Sequence, residues 1–152
     1  MTFKLLLVAS SLLAFVGCGL IGNYQSIYFY PMNTTNPSQS FKGTIYNLRG
    51  RIKLTSSVGE EFNGELFSIN RPEDPSDTLY SNELGFPKNW NTVYGDNYYS
   101  KNILGSKRYS RGKLVGTSGG IVYVEIIRPN PNSNERLGVA IDSNRQVYKI
   151  TF

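Results

Sequence analysis

The chain holds no histidine and a single cysteine, Cys18, so the side chains available for covalent or acid–base chemistry reduce to carboxylates, lysines, hydroxyls and that one thiol. Without imidazole, the Ser-His-Asp and Cys-His pairs, the usual zinc sites built on His and Cys, and histidine-held haem are excluded. A pair of carboxylates, a lysine base or a serine–lysine pair remains. Glu60, Glu61, Glu65, Asp74, Asp96 and Glu125 supply the residue type for a two-carboxylate glycan hydrolase, whose acid and partner stand about 5 to 9 Å apart. Nothing in their spacing sets two of them face to face, and carboxylates are ordinary surface residues. Glycine-rich phosphate loops, metal-ligand clusters and dinucleotide fingerprints are missing, so no cofactor and no metal is expected. The chemistry that survives is chemistry of contact.

For contact, the best-equipped stretch is Thr78 to Tyr109, where aromatic residues stand among asparagines and cations. Trp90, Tyr94, Tyr98, Tyr99, Lys101, Lys107 and Arg108 form the candidate binding set. Aromatic faces stack on sugar rings, and lysine or arginine meets carboxylate or phosphate, so peptidoglycan, a surface glycan or an envelope protein is the expected partner. The competing reading is that the tyrosines pack the edge of the core and the cations are solvated. Charge is segregated here: seven of the eleven acids lie between Glu60 and Glu83, and six basic residues lie between Lys88 and Lys113. That asymmetry fits either internal pairing of an acidic hairpin with a basic loop or a basic patch for a ligand.

The thiol is placed by what precedes it. One cation, Lys4, is followed by an uncharged run from Leu5 to Val16 broken only by Ser10 and Ser11. That is the length of a signal-peptide apolar region and shorter than the roughly 20 residues a spanning helix needs. Phe15-Val16-Gly17-Cys18 resembles the lipobox of bacterial lipoproteins, in which a signal peptidase cuts before the cysteine once its thiol carries a diacylglyceryl group. The resemblance implies a signal peptide at 1–17, acylation of Cys18, and membrane attachment through that lipid. Gly19 after the cysteine implies the outer membrane, facing the periplasm, in a two-membrane cell. An uncleaved anchor and a secreted protein with a free thiol are the alternatives. Loss of Lys4 with the leader leaves 15 of the 16 basic residues against 11 acids, a formal +4. This mild excess suits anionic headgroups, cell-wall carboxylates or phosphorylated glycans, and no nucleic-acid partner is expected.

The elements that must carry these residues read as strands. After a short polar tether at 18–26, Ile27-Tyr28-Phe29-Tyr30 has strand character and stops at Pro31. From Phe41 the chain is strand-like for some thirty residues, with Gly50, Ile52 and Leu54 alternating against Arg49, Arg51 and Lys53. The basic row reads as a solvated sheet face or a protected edge, with contact to an anionic surface as the alternative. A turn at Ser56 to Gly59 sends Glu60–Ile69 back, placing Glu61 and Glu65 for cross-strand pairing with that row. A short helix near Ser76 or Asp77 is weighed for the middle region. Ile121–Ile127 is nearly all apolar and reads as a buried strand, followed by strands at 136–141 and 146–152 in an antiparallel meander. The C-terminal strand is expected to pair inside the sheet, so removing the last seven residues should unfold the domain.

The expected architecture is one all-β domain over 27–152, an antiparallel sandwich or small partly open barrel with a long aromatic-rich insertion. The whole mature chain, with its glycine-started C-terminal meander, resembles small uncharacterised lipoproteins of bacteria. The function expected is that of a lipid-anchored, non-catalytic envelope protein that binds or braces an envelope component. An accessory subunit or inhibitor acting by protein contact in an envelope or secretion assembly is the alternative, which small size and a sheet able to offer a strand edge would permit.

Overall fold

The computed structural model describes residues 24–32, 40–46, 50–69, 84–104, 106, 109–130 and 132–152. Eight strands follow one another: β1 (Tyr24–Pro31), β2 (Phe41–Tyr46), β3 (Arg51–Ser56), β4 (Glu61–Ile69), β5 (Tyr109–Gly116), β6 (Ile121–Ile127), β7 (Leu137–Asp142) and β8 (Val147–Thr151). Each pairs antiparallel with the next, and β8 returns to β1 through Tyr28–Thr151 to Pro31–Tyr148. The expected all-β antiparallel small barrel is the fold, and its sheet closes fully, up and down, from β1 round to β8. Among the described residues closure leaves no strand edge unpaired, so a strand edge is not what a protein partner would meet.

Period-two alternation sorts the side chains. Ile27 and Phe29 of β1, Phe41 and Ile45 of β2, Ile52 and Leu54 of β3 and their successors around the barrel point inward and pack as one core. An eight-stranded barrel is just wide enough for side chains to fill, and here they do. Phe41 sits at the centre of an aromatic knot, edge-on to Phe29, Phe62 and Tyr148 with centroids 6.0, 5.3 and 5.1 Å away. Closing so small a circle requires tight strand coiling at Gly43 and Gly64. A Cβ on Gly43 would overlap the Lys53 carbonyl and the Leu54 side chain, and one on Gly64 would overlap the Lys113 carbonyl and Leu114. Glycine is needed there because backbone approaches backbone.

On β3 and β4 the apolar side chains face inward and the charged ones outward, the inverse of a membrane-spanning barrel, whose lipid-facing side chains are apolar. Arg51, Lys53, Glu61 and Glu65 all point out from β3 and β4 and are exposed. No helix among the described residues is long and apolar enough to cross a membrane. The cross-strand register places Arg51 opposite Glu65, with a 3.3 Å ion pair, and Glu65 opposite Lys113 on its other side. Part of the charge segregation is thus internal pairing, as the hairpin pattern anticipates.

Several boundaries differ from the sequence expectations. β1 begins at Tyr24, so residues 24–26 belong to the barrel and not to the tether. The strand-like run from Phe41 is broken before β3, with Gly50 at φ 63°. β5, Tyr-Ser-Arg-Gly-Lys-Leu-Val-Gly, goes unrecognised in the sequence because two glycines and two cations dilute its pattern. The helix weighed near Ser76 or Asp77 lies outside the described residues. Among the described residues the α-helix is α1 (Phe86–Tyr94), with Pro87 in its first turn, followed by a π-helical turn at Tyr99–Ile103.

Candidate binding surface and the seat of the insertion

The connection from β4 to β5 carries α1 and the π-helical turn, and these pack on the outside of the barrel. Phe86, Trp90, Tyr99 and Ile103 meet the outward faces of β5 to β8 at Tyr109, Ile127, Val139, Ile141 and Val147, forming a second core. β6 is therefore buried on both faces, which explains its nearly unbroken apolar sequence. Glu125 is the exception in that run. Its side chain points outward into the seam and has no exposure.

Four groups satisfy the buried carboxylate. Trp90 Nε1 donates to Glu125 Oε2 at 2.8 Å. Arg111 donates to Oε1 from Nε at 3.0 Å and from Nη2 at 2.9 Å. Arg111 Nη2 also donates to the Tyr109 hydroxyl at 2.8 Å, and that hydroxyl is bonded to Glu125. Burial pushes the Glu125 carboxyl above the usual carboxylate range, opposed by the hydrogen bonds of Tyr109 and Trp90 and the charge of Arg111. The same burial, with Glu125 beside it, pushes the Tyr109 phenol up. Because Trp90 of α1, Arg111 and Tyr109 of β5 all bond to Glu125 of β6, the cluster fastens α1 to the barrel.

The candidate set from the sequence divides accordingly. Trp90 is fully buried and stacks on Tyr94 and Tyr98, with centroids 5.2 and 6.0 Å away. Tyr99 is buried as well, its amide donating to Asn91 Oδ1 at 2.9 Å. Neither presents a ring to a ligand, so the stacking platform built on Trp90 and Tyr99 is corrected to a packing role. Tyr94 is half-buried: its hydroxyl donates to the Gly138 carbonyl at 3.0 Å and accepts from the Gly138 amide at 3.2 Å. Lys149 Nζ lies 5.4 Å from its ring centre. Tyr98 is half-buried beside it, and Lys101 is exposed on the π-helical turn. Lys107, Arg108 and Cys18 lie outside the described residues.

The phenol of Tyr94 is pushed up to about 12 by burial, and burial also raises Tyr109 and Tyr148, the latter with help from Asp142. The folded chain therefore holds phenolic protons that the unfolded chain releases near pH 10. Stability present below pH 10 is expected to fall as pH rises toward 12, because the unfolded state then binds fewer protons. An alkaline denaturation series should show this loss. Tyr94→Phe should flatten its first part while costing about 1 kcal/mol at neutral pH through the lost backbone hydrogen bonds.

The carboxylates weighed for hydrolysis are scattered. Glu125 is spent in the seam, Glu60 accepts from the Ser118 amide at 3.0 Å, Glu65 pairs with Arg51, Glu61 is exposed on β4, and Asp96 is exposed just after α1. Asp74 lies outside the described residues. Asp142, at the β7–β8 turn, accepts from the amides of Asn144 and Gln146 and from the Tyr148 hydroxyl. Glu60 and Asp142 line one small hollow with Ser143 and Asn144, each already accepting hydrogen bonds there, and the other described acids lie apart on turns and seams.

What the insertion leaves bare is the opposite wall. Tyr24, Tyr28 and Tyr30 on β1, Lys42 and Tyr46 on β2, and Arg51 and Lys53 on β3 all point outward. Tyr24 is 64% and Tyr30 50% exposed. An open hollow of about 710 Å³ at the tether end of this wall is lined by Tyr46, Arg51, Lys53, Asn63 and Glu65. Arg51 and Lys53 of this wall belong to the basic row read from the sequence; the tyrosines beside them were not singled out, although alternation in Ile27-Tyr28-Phe29-Tyr30 already sends Tyr28 and Tyr30 outward. No protein-family model, no curated protein and no solved structure matches the chain.

Proposed function

We propose that the protein is a lipid-anchored, non-catalytic component of the cell envelope, held to the membrane through Cys18 and acting by contact through the outside of its barrel. The observation that carries the contact half is the filled interior: with side chains from all eight strands packed across the lumen, a ligand has only the outer wall to meet. The anchor half rests on the apolar leader ending at Cys18 and on its place in the fold. β1 starts at Tyr24, six positions beyond that cysteine, so the tether joins the barrel at one end, beside the β2–β3 turn and the C-terminus. The reading places the protein at the outer membrane, facing the periplasm, in a two-membrane cell. A partner protein, if the component is one, docks on side chains, since closure leaves no edge for strand addition.

The test is fractionation of cells expressing the full chain, with the mass of the N-terminal peptide. The expected result is a mature chain starting at an acylated Cys18 that stays with membranes through a high-salt wash, while Cys18→Ala is not processed to that species. A mature N-terminus elsewhere, or a protein found in the soluble fraction, overturns the reading.

A further inference from the structure

The bare wall of β1–β3 differs from the rest of the barrel in charge as well as in cover. The first acid in the chain is Glu60, so all three strands and the segments before and between them carry cations and no carboxylate. Acids resume on β4 with Glu61 and Glu65, which mark the border of the wall, and Glu65 is already paired to Arg51. The tyrosines are organised with the cations: Tyr28 stacks with Tyr30 at 6.4 Å, Lys42 Nζ stands 6.0 Å from the Tyr28 ring centre, and Tyr30 lies opposite Lys149. Phenols among lysines, with the rings half in and half out of water, are the side chains that settle at the headgroup level of a bilayer.

We infer that this wall, presenting Tyr24, Tyr28, Tyr30, Tyr46, Lys42 and Lys53, lies flat on an anionic lipid bilayer as a second attachment beside the acyl anchor. The inference rests on the acylation of Cys18 proposed above. Cys18 and Tyr24 are six residues apart, at most about 20 Å of extended chain, and Tyr24 is the first residue of the wall itself. A barrel tied that closely has β1 and its neighbours nearest the surface. The diacylglyceryl anchor already holds the chain at the bilayer, so a basic wall has only to orient the tethered barrel against anionic headgroups. Arg51 and Lys53 line the hollow at the tether end, where they can meet a lipid phosphate. The opposite wall, with the insertion seated on β5–β8, then faces away from the membrane.

The test uses the full acylated chain purified from membranes and placed in phosphatidylcholine vesicles with or without phosphatidylglycerol. Exposed lysines are labelled with a membrane-impermeant acylating reagent and read by peptide mass. In phosphatidylglycerol vesicles Lys42 and Lys53 are expected to react at least about threefold more slowly than in detergent, and high salt should reverse the protection by screening. Lys88 and Lys101 on the insertion, exposed in the structure, should react equally in both. A Lys42→Glu, Lys53→Glu variant, checked for an unchanged melting transition, should lose protection of Tyr28 and Tyr30 against iodination. Equal labelling of Lys42 and Lys53 in vesicles and detergent overturns the docking face, as does protection of Lys88 and Lys101 instead, or protection that appears only when cell-wall sacculi are added. The mass of the N-terminal peptide separates the two failures: an acylated chain with an unprotected wall sinks the docking face alone, and an unmodified Cys18 sinks the anchor and the docking face together.

Discussion

A chain lacking residues 146–152 is expected to lose cooperative thermal unfolding altogether. β8 supplies Val147, Tyr148 and Ile150 to two different cores, inner and outer, and burying three such side chains is worth about 5 to 8 kcal/mol. That is comparable to the whole stability of an ordinary domain. The deletion also strips two ladders at once, β7–β8 and β8–β1, opening the barrel and baring β1 and β7 as edges that invite aggregation. Circular dichroism of the shortened chain should show no sigmoidal melt. A cooperative transition within a few degrees of the intact chain's would mean that β8 is dispensable and the closed barrel is not the folded state.

Arg111→Ala should be the most damaging single substitution in the outer seam. It leaves the Glu125 carboxylate buried without its countercharge, and breaking one side of such a pair costs about 3 to 5 kcal/mol. Replacing both partners by apolar residues of similar size, as in Arg111→Met with Glu125→Leu, should recover much of that loss, because neither charge then needs burial. The pH dependence gives an independent check. With its carboxyl raised by burial, Glu125 in the folded Arg111→Ala chain holds a proton that the unfolded chain has released above about pH 4.5, the ordinary glutamate value. The variant should therefore regain stability as pH falls toward 4.5 and lose it as pH rises, relative to the parent chain. Trp90 is the only tryptophan and donates to Glu125, so its fluorescence reports the seam directly. A red shift of Trp90 emission that precedes loss of the far-ultraviolet strand signal would show the insertion lifting from a barrel that persists. Stability of Arg111→Ala within about 1 kcal/mol of the parent would show that the ion pair contributes no more than a surface pair does.

The strands other than β5 were legible in the sequence because strand formation leaves a local mark. Ile121–Ile127, the alternation through Ile52 and Leu54, and the return over Phe62, Gly64 and Leu66 each announce a strand, and the Arg51–Glu65 pairing follows from hairpin spacing. The absence of histidine and the position of Cys18 likewise need no coordinates. Trp90 and Tyr99 look like a binding platform in the sequence and turn out to be packing, because only three dimensions reveal that α1 lies on the outer faces of β5–β8. Glu125 appears in the sequence as an ordinary acid in an apolar strand; its partners Trp90 and Arg111 are 35 and 14 residues away. Closure of the barrel, and with it the loss of every strand edge, depends on β8 meeting β1 across almost the whole described chain. A period of two is written residue by residue, whereas which wall of the barrel is covered and which is bare follows from contacts between segments far apart in the chain, and no local pattern encodes those.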